Sequence, residues 1–213
     1  MKKGVRSCPR WMQGEAVQPT GGLMAIRLFC LALPPAVETV RGVIAPGVDL
    51  SVPGCCVPPP RIEALCPRSL PVFCALDDAP TIATLLADRG QADCAGGGGI
   101  RGCSALRARD FGRWTGAALS ALPADAVQAL TQDVDFAPPE GESWRQFTAR
   151  LMHWLETELP DGTQALVMAA PSVLVGLMQG VIAPEATALP ALDMAAGAWL
   201  ALTRHVRWRV RLL

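Results

Sequence analysis

The chain has 213 residues, 51% of them hydrophobic and 18% charged, with 19 Lys+Arg balancing 19 Asp+Glu to a formal net charge of zero. That is enough apolar material for one packed domain and hardly for two. The charge balance excludes a nucleic-acid binder that works through a broad basic surface, and no run reaches the roughly 18 uninterrupted apolar residues of a membrane span.

Residues 1–23 lack periodicity and are rich in Gly, Gln and Pro, so they are expected to form a disordered extension to a domain spanning 24–213. Met1-Lys2-Lys3 has the charged start of a secretory signal, but Glu15 and a Gly- and Pro-containing run separate it from any apolar stretch. Met24 is a candidate natural start, because ordered patterning begins directly after it. Ala25–Leu33 (AIRLFCLAL), stopped by Pro34-Pro35, predicts a buried strand. Residues 41–69 hold many prolines and predict an irregular connection. Leu70–Leu76 (LPVFCAL) predicts a second buried strand, after which Asp77-Asp78 is placed to cap a helix with Pro80 in its first turn. Ile82, Leu85 and Leu86 would share that helix's inner face.

Residues 90–105 are expected to be a loop. Gly97, Gly99 and Gly102 match GxGxxG, yet no strand pattern leads in and no helix pattern follows, so the dinucleotide reading lacks its context. Ala124–Leu130 predicts a short helix. The strongest helical signal follows Gly141: Trp144, Phe147, Leu151, Trp154 and Leu155 form an apolar stripe, with Ser143 as its cap and His153 flanking it as a structural residue. Gln164–Ala170 predicts a third buried strand, leading into a helix over Ser172–Val181. The tail, Trp199–Leu212, predicts two strands around Arg204-His205. There Arg204, Arg207, Arg209 and Arg211 alternate with Val206, Trp208 and Val210, the pattern of a strand with one solvated face. Strands apolar on both faces, alternating with helices, indicate an α/β sheet covered on two sides.

The eight cysteines include no CxxC pair, and His153 and His205 are the two histidines, so neither a metal site nor a cofactor is expected. Cys30 and Cys74 lie in apolar runs and read as small core residues. Cys55-Cys56 sits in a proline-rich stretch, where a reactive or bridged pair stays open. A reducing, cytoplasmic setting is expected.

Asp110-Phe111-Gly112 spells the metal-binding triplet of protein kinases. That reading fails, because the chain has no His-Arg-Asp and no Val-Ala-Ile-Lys, and its lysines are Lys2 and Lys3. In this element order, however, DFGRWTG (Asp110–Gly116), then a short helix, then PPEGES (138–143), resembles the histidine phosphatase superfamily, with its phosphoglycerate mutases and alpha-ribazole phosphatases. The likeness covers about residues 24–213. It implies a three-layer α/β/α sandwich with a mainly parallel central sheet.

In that family the first strand ends in Arg-His-Gly. The histidine attacks phosphorus, while two arginines and a second histidine clamp the phosphoryl oxygens. The resemblance places the arginine on Ala32, the nucleophile on Leu33 and the glycine on Pro34. The second arginine falls on Asp78, the acidic proton donor on Ala108 and the second histidine on Ala170. Gly112, Trp114, Gly116, Gly141 and Glu142 keep the family's scaffold signature. The losses all concern chemistry, which implies a non-catalytic member that binds a protein partner or a small ligand, with no nucleic acid or membrane involved. The alternative is an active phosphatase or other hydrolase using a non-standard site at the strand ends, drawn from Asp77, Asp78, Asp110 and Ser172. Ser172 lacks the flanking glycines of a nucleophile elbow and reads better as a helix cap.

Overall fold

The computed structural model describes residues 25–51, 70–88 and 99–213. The expectations for residues 1–23 and for Cys55-Cys56 lie outside the described residues. β1 (Ile26–Ala32), β2 (Val72–Ala75), β3 (Ile100–Cys103), β4 (Gln164–Ala169), β5 (Trp199–Arg204) and β6 (Trp208–Leu212) form one sheet in the order β3-β2-β4-β1-β5-β6. β3, β2, β4 and β1 run parallel, while β5 and β6 close one side as an antiparallel hairpin.

The alternation of β1 explains the layering. Leu28, Cys30 and Ala32 face one core, and Phe29, Leu31 and Leu33 face the other. The first core is covered by α4 (Trp144–Thr157) and α5 (Pro171–Ile182), through Phe147, Leu151, Trp154, Leu174 and Leu177. The second is covered by α2 (Ala79–Asp88), through Ile82 and Leu86. Helices therefore lie on both sides of the sheet, giving the three-layer α/β/α architecture. α1 (Val37–Val40) and α3 (Ala124–Gln132) belong to the connections.

α4 starts where its sequence dictates. Ser143 accepts from the Gln146 N–H at 3.1 Å, and the Gln146 side chain accepts from the Ser143 N–H at 2.8 Å, a complete capping box. Trp154, fully buried, meets Phe73 edge-on with ring centroids 5.7 Å apart. Trp144 is anchored by its indole N–H donating to Gln179 Oε1 at 2.5 Å.

Three expectations are corrected. Ile100–Cys103, expected as loop, is the edge strand β3, paired in parallel with β2. Asp77 and Asp78 do not cap α2: they lie in a 3₁₀ turn, Leu76–Asp78, that continues directly into the helix. Ser172 is not a cap either. Ala170 holds the N-cap position, Pro171 opens the helix with the fixed φ suited to a first turn, and Ser172 follows exposed.

Candidate functional site

A cavity of about 670 Å³ opens beyond the C-terminal ends of the parallel strands β2 and β4, where open α/β sheets usually bind ligands. Ala75, Asp77 and Asp78 line it after β2, Ala170 after β4, and Ala108, Arg109 and Asp110 from the segment following β3. Of the six positions implied by the family resemblance, Asp78, Ala108 and Ala170 share this cavity and Pro34 is not in its described lining. Ala32 and Leu33 do not line it: both are 0% exposed, and the Leu33 N–H donates to Ala169 O at 2.8 Å. Asp77 and Asp110 are also in the wall, whereas Ser172, His153 and His205 are exposed elsewhere.

The wall is built by two interlocked loops. The Glu142 N–H donates to Asp110 O at 3.0 Å, and the Asp110 N–H donates to Glu142 Oε1 at 2.9 Å. The Gly112 N–H donates to Asp110 Oδ1 at 2.8 Å. Gly112 has φ +52°, and a Cβ there would stand 2.2 Å from Pro139 O; one on Gly141 would stand 2.7 Å from Asp110 O. The two sequence motifs occur together because their backbones touch at glycines, where a side chain has no room.

Three arginines reach the cavity; Arg109 and Arg150 are committed, and Arg107 is held only by an exposed pair. Arg109, 4% exposed, donates from Nε to Glu142 O and from Nη2 to Phe136 O, both at 2.9 Å, and its guanidinium lies over the Phe111 ring. Burial lowers its pKa, with Glu142 opposing that shift. Arg150 donates to Glu142 Oε1 at 2.5 Å and to the carbonyls of Ala105 at 2.7 Å and Arg107 at 3.2 Å. Arg107 pairs with Asp77 at 3.0 Å, but both side chains are more than half exposed and such pairs are worth at most about 1 kcal/mol.

The Asp78 carboxylate has neither a hydrogen-bond nor an ion-pair partner among the described residues. Its carboxyl is held above the usual range, first by burial and then by the neighbouring negative charge of Asp77. Behind it, the Cys74 thiol is pushed up to about 12 by burial, with Asp78 and Cys103 adding to the effect, so it stays protonated and is no nucleophile. The described lining thus offers carboxylates, the Ser104 and Thr115 hydroxyls, the exposed Arg107 and main-chain groups, without an imidazole.

Sequence reasoning did not single out Arg109 and Arg150. Arg109 carried a readable signal, since it directly precedes the DFG turn. The spacing of Arg150 from Glu142 gave none, because the two meet only once the loop before α4 is folded.

No curated protein sequence matches the chain. Among solved structures, a mycobacterial hydrolase is 25% identical with a TM-score of 0.64, covering 88% of this chain and 97% of its own. The mycobacterial glucosyl-3-phosphoglycerate phosphatase is 22% identical with a TM-score of 0.66, over 88% and 98% of the two chains. An Escherichia coli K-12 protein provisionally assigned as an alpha-ribazole-5'-P phosphatase is 19% identical with a TM-score of 0.61, over 88% and 95%. The sequence model of the histidine phosphatase superfamily, branch 1, matches residues 92–212, more than half the chain. With that match, the interlocked DFGRWTG and PPEGES loops and the shared fold, the chain belongs to the histidine phosphatase superfamily.

Proposed function

We propose that this protein is a superfamily member without phosphotransfer activity, and that its cavity binds a small ligand or a segment of a partner protein. The observation that carries the reading is the state of the position the family gives to its nucleophile. Leu33 is an aliphatic side chain sealed in the core at 0% exposure. It has no lone pair to attack phosphorus and no path to a substrate.

The electrostatics support the same reading. Phosphoryl transfer needs fixed positive charge on the transferring oxygens. Here Arg109 and Arg150 are consumed by carbonyls and Glu142. Asp78 stands where the family has a clamping arginine. Two unit charges about 4 Å apart interact by about 4 kcal/mol at an effective dielectric of 20, so the exchange turns an attraction of that order into repulsion of a phosphate.

One observation favours the alternative, a hydrolase with a non-standard site: Asp78, its pKa raised by burial and by neighbouring Asp77, lines a cavity. Purified protein incubated with p-nitrophenyl phosphate and with phosphosugars separates the two. Absence of turnover supports the binding role; turnover lost in Asp78→Asn supports the hydrolase. A cytoplasmic location is part of the proposal, supported by the free thiols of Cys30, Cys74 and Cys103. Among the described residues no helix is long and apolar enough to cross a membrane.

A further inference from the structure

The arginine-rich tail forms a second surface, independent of the cavity. β6 ends the sheet, and among the described strands it pairs with β5 alone. The Leu213 N–H donates to Trp199 O at 3.1 Å. Bonded pairs alternate in an antiparallel ladder, so Arg211 and Arg209 turn their main-chain groups toward β5, while Trp208, Val210 and Leu212 turn theirs outward. Among the described residues nothing takes up those outward groups.

The side chains of β6 sort by face. Trp208 and Val210 pack on the core shared with α4 and α5, and alternation sends Arg209 and Arg211 to the opposite face, exposed. Arg207, Arg209 and Arg211 have no ion-pair partner among the described residues. On the apolar side a groove of about 850 Å³ runs along the strand, lined by Met152, Val181, Ile182, Pro184, Trp208 and Val210. Ile182 is 67% exposed and Val206, at its end, 97%. Arg207 and Arg209 border the groove, and Glu156 is the one carboxylate in its described lining.

We propose that β6 is a docking edge for an extended acidic segment of a partner protein. The segment adds as a further strand, placing alternate apolar side chains in the groove and carboxylates against Arg207, Arg209 and Arg211. The free ladder supplies main-chain hydrogen bonds, and the two faces select the side-chain pattern. A second copy of this chain fits poorly: antiparallel pairing of β6 with itself sets arginine rows opposite each other on one face. A polyanion such as RNA would use the arginines but neither the ladder nor the groove.

The test is fluorescence anisotropy of the full chain with a labelled eight-residue peptide alternating valine and glutamate. The expected result is saturable binding, weakened at least tenfold by Arg209→Glu with Arg211→Glu and by Val210→Pro. The Val210 N–H faces outward, so proline there removes a docking bond without removing a ladder bond. A peptide with lysine in place of glutamate should not bind. Absence of peptide binding, binding insensitive to Val210→Pro, or arginine-dependent binding of single-stranded RNA or phosphatidylserine vesicles as tight as that of the peptide would overturn the proposal. Should Val210→Pro not fold, amide exchange in the unmodified protein decides instead. Added peptide should slow the amides of Trp208, Val210 and Leu212, and unchanged exchange there rejects a docked strand.

Discussion

The Arg150 guanidinium lies 2.5 Å from Glu142 Oε1 and reaches the Ala105 carbonyl at 2.7 Å, so one side chain of α4 ties the PPEGES loop to the segment after β3. This pair is only 29% and 17% exposed, and it holds the cavity wall rather than a ligand. Arg150→Ala takes this donor from the Ala105 carbonyl and leaves Glu142 Oε1 with the Asp110 N–H as its donor, and is expected to cost about 1–3 kcal/mol of stability in a denaturant melt. Arg150→Lys should recover little of it, since an ammonium cannot reproduce a fork that serves several acceptors at once.

Gly112 carries the second structural expectation. Its positive φ and the 2.2 Å approach of a would-be Cβ to Pro139 O leave no room for a side chain. Gly112→Ala should cost at least about 2 kcal/mol, beyond the roughly 1–2 kcal/mol of a left-handed residue alone. Thermal unfolding checks this. A change within a few tenths of a kcal/mol would mean that the two loops do not meet as described.

Stability should respond to pH through Asp78. Its folded-state pKa is raised above 3.8 by burial and by Asp77, so the fold favours the protonated carboxyl. The sign follows from linkage: stability from this group is fully present below the unfolded value and is lost as pH rises through the raised folded value. Asp78→Asn removes that penalty. It should raise the melting temperature at about pH 7, and the gain should vanish by about pH 3. A variant less stable than the parent at neutral pH would mean that the ionised carboxylate is favoured by a partner.

Leu33→His is expected to harm the protein without restoring chemistry. The imidazole would enter the core cluster that holds Phe29, Leu31, Val72 and Met168, where its neighbours are apolar. Burying a polar group without a partner costs about 1–3 kcal/mol by protein mutational measures. The expected outcome is a lowered melting temperature with no phosphatase activity. A stable, active Leu33→His would show that the position still opens to the cavity.

The sequence carried the central strands well, because β1, β2 and β4 are largely buried on both faces and read as unbroken apolar runs. α4 was legible from its stripe and from Ser143. β3 was not: Ile100–Cys103 is a short edge strand containing Arg101 and Gly102, and its pairing with β2 is a tertiary fact that no local pattern announces. The cap assignments at Asp78 and Ser172 failed for a related reason. Residue type favoured both as caps, but a 3₁₀ turn absorbed the first, and Pro171 fixed the start of α5 one residue before the second. At the cavity, Asp78, Ala108 and Ala170 share one lining, whereas the commitment of Arg109 and Arg150 to main-chain carbonyls required the folded loops.

Whether the site is free of phosphotransfer chemistry is tested most directly by single-turnover kinetics with radiolabelled phosphate monoesters on the purified chain, followed through acid- and base-quenched samples. A phosphohistidine survives base and is lost in acid, so the two quenches separate a covalent intermediate from tightly bound product. The expected result is no label on the protein under either quench and no phosphate release above buffer. Base-stable label on the chain, or release abolished by Asp78→Asn, would contradict it.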